Sequence, residues 1–190
     1  MGDLLLGADF KNPDVPGWKV DNREMLEFKP GPPAELLIDH PKSDLIHPIV
    51  RTAAPFDDFD ASITIRFLEG EYDYISAGFE VRSCDAGDYV IRISAQGTFQ
   101  IGWHDKTDWG GYLLKWTSHP ILKTEMGEPN RLRAVLKGDQ IRVYLNGVLA
   151  TSLRDDKFSS GTVRVVISPG KTSNIKVAFS DLQLRELPSD

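Results

Sequence analysis

Over much of the chain, apolar and polar residues alternate one by one. Residues 61–68, ASITIRFL, put Ile63, Ile65 and Phe67 on one side and Ser62, Thr64 and Arg66 on the other. Residues 75–82, ISAGFEVR, set Ile75, Ala77, Phe79 and Val81 against Ser76, Gly78, Glu80 and Arg82. Residues 88–94 repeat the pattern, with Tyr89, Ile91 and Ile93 against Val90, Arg92 and Ser94. A period of two marks a strand buried on one face. Turn residues separate these runs: Gln96-Gly97, Gly138-Asp139, Asn146-Gly147 and Pro169-Gly170. Asn-Gly suits a type I′ hairpin turn, because both central residues take positive φ and the twist matches the flanking strands.

About a dozen such runs, with turns at roughly 8–12-residue spacing, predict an all-β sandwich or barrel. No linker divides the chain, so residues 1–190 read as a single domain, an ordinary size for one β unit. Residues 11–60 are richer in proline and less regular, as in KPGPP and HPKSDLIHP. They read as edge strands and long loops of the same domain.

Charge narrows the partners. With 22 Lys and Arg against 28 Asp and Glu, the formal net charge is -6. Phosphate backbones need a basic footprint, so nucleic acid is not expected as a partner. No run approaches the roughly 20 apolar residues that span a bilayer, so no membrane insertion is expected. The start, Met1-Gly2-Asp3-Leu4, lacks the basic and long apolar regions of a signal peptide, and a soluble chain is expected. The one cysteine, Cys84, forms no intrachain disulfide and reads as an inert thiol. Compartment and oligomeric state are not legible.

The order of motifs from residue 56 to 187 carries a resemblance. SAGFEVRSCDAGDYVIRISAQGTFQIGW is followed by LLKWTSHPIL, NRLRAVLKGDQIRVYLNGVLATSL, DDKFSSGTVRVVI and IKVAFSDLQLREL. This set resembles the concanavalin A-like lectin/glucanase superfamily, and within it the bacterial laminin G-like and family 16 glycoside hydrolase-like modules. The resemblance implies a two-sheet antiparallel jelly-roll sandwich. It also implies one of several functions, because fold alone does not choose among glycan binding, glycan hydrolysis and protein interaction.

The resemblance sets a test for hydrolysis. Hydrolytic relatives carry alternating carboxylates on one strand, which places a nucleophile and an acid on one face. The nearest stretch is EGEYDYIS, in which Glu69, Glu71 and Asp73 alternate, but Ile75 stands where a further carboxylate is needed. The stretch reads as an acidic hairpin loop, so no catalytic residue is assigned. His40, His47, His104 and His119 lack zinc-site spacing. An enzyme acting on sugars, glucanase or keto-glycoside in type, remains the alternative.

The binding reading rests on GWHDKTDWGGYLLKW, which holds three of the four tryptophans within 14 residues. Aromatic rings give large, rigid contact area for the C–H faces of sugars, and neighbouring polar groups bond hydroxyls. The expected carbohydrate contacts are Trp109, Tyr112, Trp103, His104 and Asp108, joined by Arg82 and Arg92 from the polar side of their strands. Counting by two also places Trp103 with Phe99 and Ile101 on a core face. Trp116, after two leucines, reads as core. The resemblance further implies a structural calcium near Asp9 and Asp181, between the first and last strands. The favoured reading is a non-catalytic, lectin-like carbohydrate-binding module; a protein-interaction module of a larger bacterial protein is a third.

Overall fold

The computed structural model describes residues 2–8, 10, 16–21, 23–41, 45–71, 75–105, 109–170 and 174–187. Among them are fifteen strands, one 3-10 turn (Arg23–Met25) and no α-helix. The strands are β1 (Leu4–Ala8), β2 (Trp18–Val20), β3 (Leu26–Lys29), β4 (Glu35–His40), β5 (His47–Thr52), β6 (Phe59–Glu69), β7 (Ser76–Cys84) and β8 (Gly87–Ser94). They continue with β9 (Thr98–Asp105), β10 (Trp109–Ser118), β11 (Asn130–Lys137), β12 (Gln140–Leu145), β13 (Val148–Arg154), β14 (Thr162–Ser168) and β15 (Ile175–Arg185).

Two antiparallel sheets result. The first has the order β13-β12-β11-β6-β15-β4-β3, with β1 also on β15; the second runs β10-β9-β8-β7-β14-β5-β2. Their inner faces share one core. Ile63 and Ile65 of β6 meet Phe79 and Val81 of β7, Ile91 and Ile93 of β8, and Val165 and Ile167 of β14. The alternating residues predicted for these strands are the ones that turn inward. Asn146 and Gly147 both take positive φ, 48° and 85°, between β12 and β13, as the hairpin reading requires.

Two local expectations change. The early region is less peripheral than its prolines suggest. β3 and β2 are edges, but β4 and β5 lie one strand in and bury Leu36, Ile38, Ile49 and Val50 completely or nearly so. The EGEYDYIS stretch is not a hairpin loop either, because β6 and β7 belong to different sheets and the segment crosses between them. Asp73 lies outside the described residues.

Among the described residues, no helix is long and apolar enough to cross a membrane.

Candidate functional site

The two outer faces differ. On the first sheet, Arg66, Arg131, Arg133, Arg142 and Tyr144 are half-exposed, and Arg66, Arg131 and Arg133 are tied to polar neighbours. Arg66 donates to Glu35 at 2.6–2.9 Å and Arg133 to Asp60 at 2.7–2.8 Å. On the second sheet the middle of the outer face is buried, although no third layer of strands is found among the described residues. Val90 and Val166 are fully buried and stand outside the core cluster. Glu80, Asp88, Arg92, Ser94 and Gln100 are buried beside them. Pleating puts these residues there: each alternates with a core residue of its own strand.

Register fixes the neighbours. Arg92 on β8 pairs with Gln100 on β9, Val90 with Gly102, and Asp88 with His104. Across the other side, Glu80 pairs with Val90 and with Arg164. On β10, Tyr112 pairs with Gly102 and Trp109 with His104.

Gln100 stands out. Its residue is 0% exposed, and among the described residues neither its amide nitrogen nor its amide oxygen has a hydrogen-bond partner. Leaving such a group unsatisfied costs roughly 1–3 kcal/mol. Beside it, burial pulls the Arg92 guanidinium down to about 10, against which the Tyr112 and Glu80 charges act. The Arg92 guanidinium lies 5.5 Å from the centre of the Trp116 ring, within cation–π range.

Trp116 corrects the sequence reading. It is 40% exposed, not core. The cause is the register of β10. Leu114 faces Ile101 and Thr117 faces Phe99, so three residues on β10 span two on β9. The extra residue breaks the alternation. Leu113 and Leu114 both lean on the core, and Trp116 turns to the outer face beside Arg92.

The other expected contacts divide. Tyr112 is 46% exposed on the same face. His104 is there too, its Nδ1 2.9 Å from Asp88 Oδ1. Trp103 is not: it packs half-buried against the core, with the Lys157 ammonium 5.1 Å from its ring centre. Gly110 lies so close to that ring that a Cβ would come within 2.0 Å of it. Arg82 is not there either. A β-bulge follows Val81, Arg82 takes φ 52°, and its side chain is driven into the end of the sandwich. There it donates to the carbonyls of Asp57, Gly138 and Phe158 and to the Asp58 carboxylate, at 2.8–3.2 Å. It ties β7 to turns of the opposite sheet and is structural. Asp108 and the side chain of Trp109 lie outside what is described.

Asp9 also lies outside the described residues. Its neighbour Ala8 pairs with Leu182, and Asp181 is exposed at φ 52°, accepting a long 3.5 Å bond from Thr64.

Sequence reasoning missed Gln100, Asp88 and Trp116. Gln100 and Asp88 were legible as polar positions of alternating strands, but only pairing shows that they adjoin Arg92, Glu80 and His104.

No family model matches the chain, and no curated protein matches it. Solved structures do match in shape. The carbohydrate-binding module CBM66 from Bacillus subtilis superposes with a TM-score of 0.67 at 16% identity, covering 90% of this chain and 96% of that one. A β-1,3-1,4-glucanase (lichenase) derived from a mouse hindgut metagenome gives 0.70 at 14%, covering 96% and 99%. A putative glycosyl hydrolase from Parabacteroides distasonis gives 0.63 at 16%, covering 95% and 99%. The fold is that of the concanavalin A-like jelly rolls. As a jelly roll of this type, the chain shares its two-sheet architecture with both binding modules and glucanases.

Proposed function

We propose that this jelly roll binds carbohydrate, without cleaving it, on the outer face of its second sheet. The observation that carries the reading is the pair of exposed rings, Trp116 and Tyr112, on the face where Arg92 lies and where the buried Gln100 amide has no hydrogen-bond partner among the described residues. The rings offer a surface for the C–H face of a sugar, and the amide keeps donor and acceptor capacity for a hydroxyl that reaches it. Trp109, whose backbone pairs with His104, borders the same face. The named functions of the structural neighbours, one a carbohydrate-binding module and others glucanases, agree with saccharide as the ligand class.

The test is a glycan array of the purified chain, followed by calorimetry against mixed-linkage β-1,3-1,4-glucan and laminarin. A specific hit whose affinity falls about tenfold or more in Trp116→Ala and Tyr112→Ala supports the reading, since a buried ring contributes roughly 1.5–3 kcal/mol. Trp109→Ala is expected to weaken binding without lowering stability. A blank array from folded protein overturns it in favour of a protein-interaction module. Release of reducing ends overturns the non-catalytic part.

A further inference from the structure

The same outer face holds a cluster that the saccharide reading does not use. Glu80 comes from β7, Asp88 from β8 and His104 from β9. Asp88 and His104 are direct cross-strand partners, and Glu80 pairs with Val90, two residues along β8 from Asp88. One donor atom of each side chain lies within 4.8 Å of the other two. Glu80 and Asp88 are 5% and 8% exposed. Exposed carboxylates gather on surfaces without consequence, but two buried together repel, and each has left water.

Among the described residues two guanidinium groups act on the pair: Arg92, buried on β8, interacts with the Glu80 charge, and Arg164 bonds to it directly. The Arg164 Nη1 reaches Glu80 Oε2 at 3.2 Å from β14, the strand on the far side of β7 from Asp88 and His104. Ser83 adds a 3.4 Å bond to Asp88 Oδ2. Burial first, then the Asp88 charge, holds the Glu80 carboxyl above its ordinary value, and Arg164 and His104 only partly offset this. His104, half-exposed, closes the cluster on its solvent side.

One oxygen of each carboxylate and one imidazole nitrogen lie close enough together to share a single ion, with His104 and Asp88 already in contact at 2.9 Å.

We propose that Glu80, Asp88 and His104 form a divalent transition-metal site. One imidazole nitrogen and two carboxylate oxygens suit Zn²⁺ or Mn²⁺; Ca²⁺ takes oxygen ligands in greater number. Zn²⁺ holds nitrogen and oxygen donors at about 2.0–2.2 Å, so the three side chains close in slightly around it. Three protein ligands leave a fourth position for water or an incoming hydroxyl. A dication would also offset the mutual repulsion of the two buried carboxylates, which adds to burial in holding the Glu80 carboxyl up despite Arg164 and His104. The site stands on these three side chains whether or not a saccharide binds.

The experiment is calorimetric titration of the chelator-treated, dialysed chain with ZnCl₂, MnCl₂ and CaCl₂, paired with thermal melting. One Zn²⁺ or Mn²⁺ per chain is expected, with a raised Tm. His104→Ala and Glu80→Gln each lower the affinity at least about tenfold, since even outer-sphere changes at metal sites cost about 10–100-fold. His104 is at the rim, so His104→Ala reads the site even where Glu80→Gln does not fold. Absence of binding, a preference for Ca²⁺, or binding unchanged in His104→Ala overturns the proposal. None of these outcomes depends on glycan binding.

Discussion

The Tyr89 hydroxyl donates a 2.6 Å hydrogen bond to Asp155 Oδ1 and accepts one from the Phe158 amide at 3.2 Å. The tyrosine is fully buried in the core, so this one oxygen anchors the 155–158 segment to β8. Tyr89→Phe keeps the ring and strands both partners. The expected loss is about 1–3 kcal/mol in urea denaturation. Burial would raise the Asp155 carboxyl, but its bonds from Tyr89 and Lys157 outweigh that and hold it below 3.8. A depressed carboxylate adds stability above its unfolded value, lost as pH falls through the folded one. Stability below about pH 4 should therefore fall less steeply in Asp155→Asn than in the parent chain.

Arg82→Lys tests the clamp at the end of the sandwich. A lysine ammonium cannot reproduce the planar set of bonds to Asp57, Gly138, Phe158 and Asp58. A loss of about 3–5 kcal/mol is expected, because removing a partner leaves buried polar groups uncompensated. A melting temperature within a degree or two of the parent's would reassign Arg82 to the ligand contacts first expected of it.

Gln100 predicts opposite effects on stability and binding. Gln100→Met fills similar volume and removes the two unsatisfied polar atoms. The variant should gain about 1 kcal/mol or more in chemical denaturation and lose glycan affinity. A destabilised variant would mean that the amide is satisfied in solution and that its pairing serves the fold.

The two sheets meet again at His40 and His47, whose rings lie 4.1 Å apart, centre to centre. Burial, and then the neighbouring His40, lowers the affinity of His47 for a proton. The folded state therefore resists protonation that the unfolded chain accepts at about pH 6.5. Stability is lost as pH falls below that value, until the folded-state pKa is passed. His47→Gln removes the penalty, so the parent should lose more stability than the variant between pH 7.5 and 5. Equal losses would show that the pair does not titrate as placed.

The inward half of this fold was legible because β6, β8 and β14, and β7 as far as Val81, alternate core with outward residues, and the Asn146-Gly147 turn fixes its own hairpin. Reading failed where alternation fails. The added residue in β10 carries Trp116 outward, and the bulge after Val81 turns Arg82 inward; neither shift leaves a compositional trace. The outer-face cluster was illegible for another reason. Glu80, Asp88 and His104 span 25 positions of sequence, and each looks like an ordinary polar residue of an amphipathic strand until the pairing brings them together. The prolines around the early strands point to loops, whereas the apolar Leu36-Leu37-Ile38 run of β4 decides where that strand sits.

β1 lies antiparallel to the end of β15, with the Glu186 amide bonded to the Asp3 carbonyl at 2.9 Å. The polypeptide thus enters and leaves the sandwich at one point, as a bead is held on a loop of thread. A unit with that geometry can be spliced into a surface turn of another protein without prising the host apart. It also tolerates rewiring. Joined across Asp3 and Glu186 by a few glycines and reopened between the exposed Glu125 and Met126, the permuted chain should fold to the same sandwich.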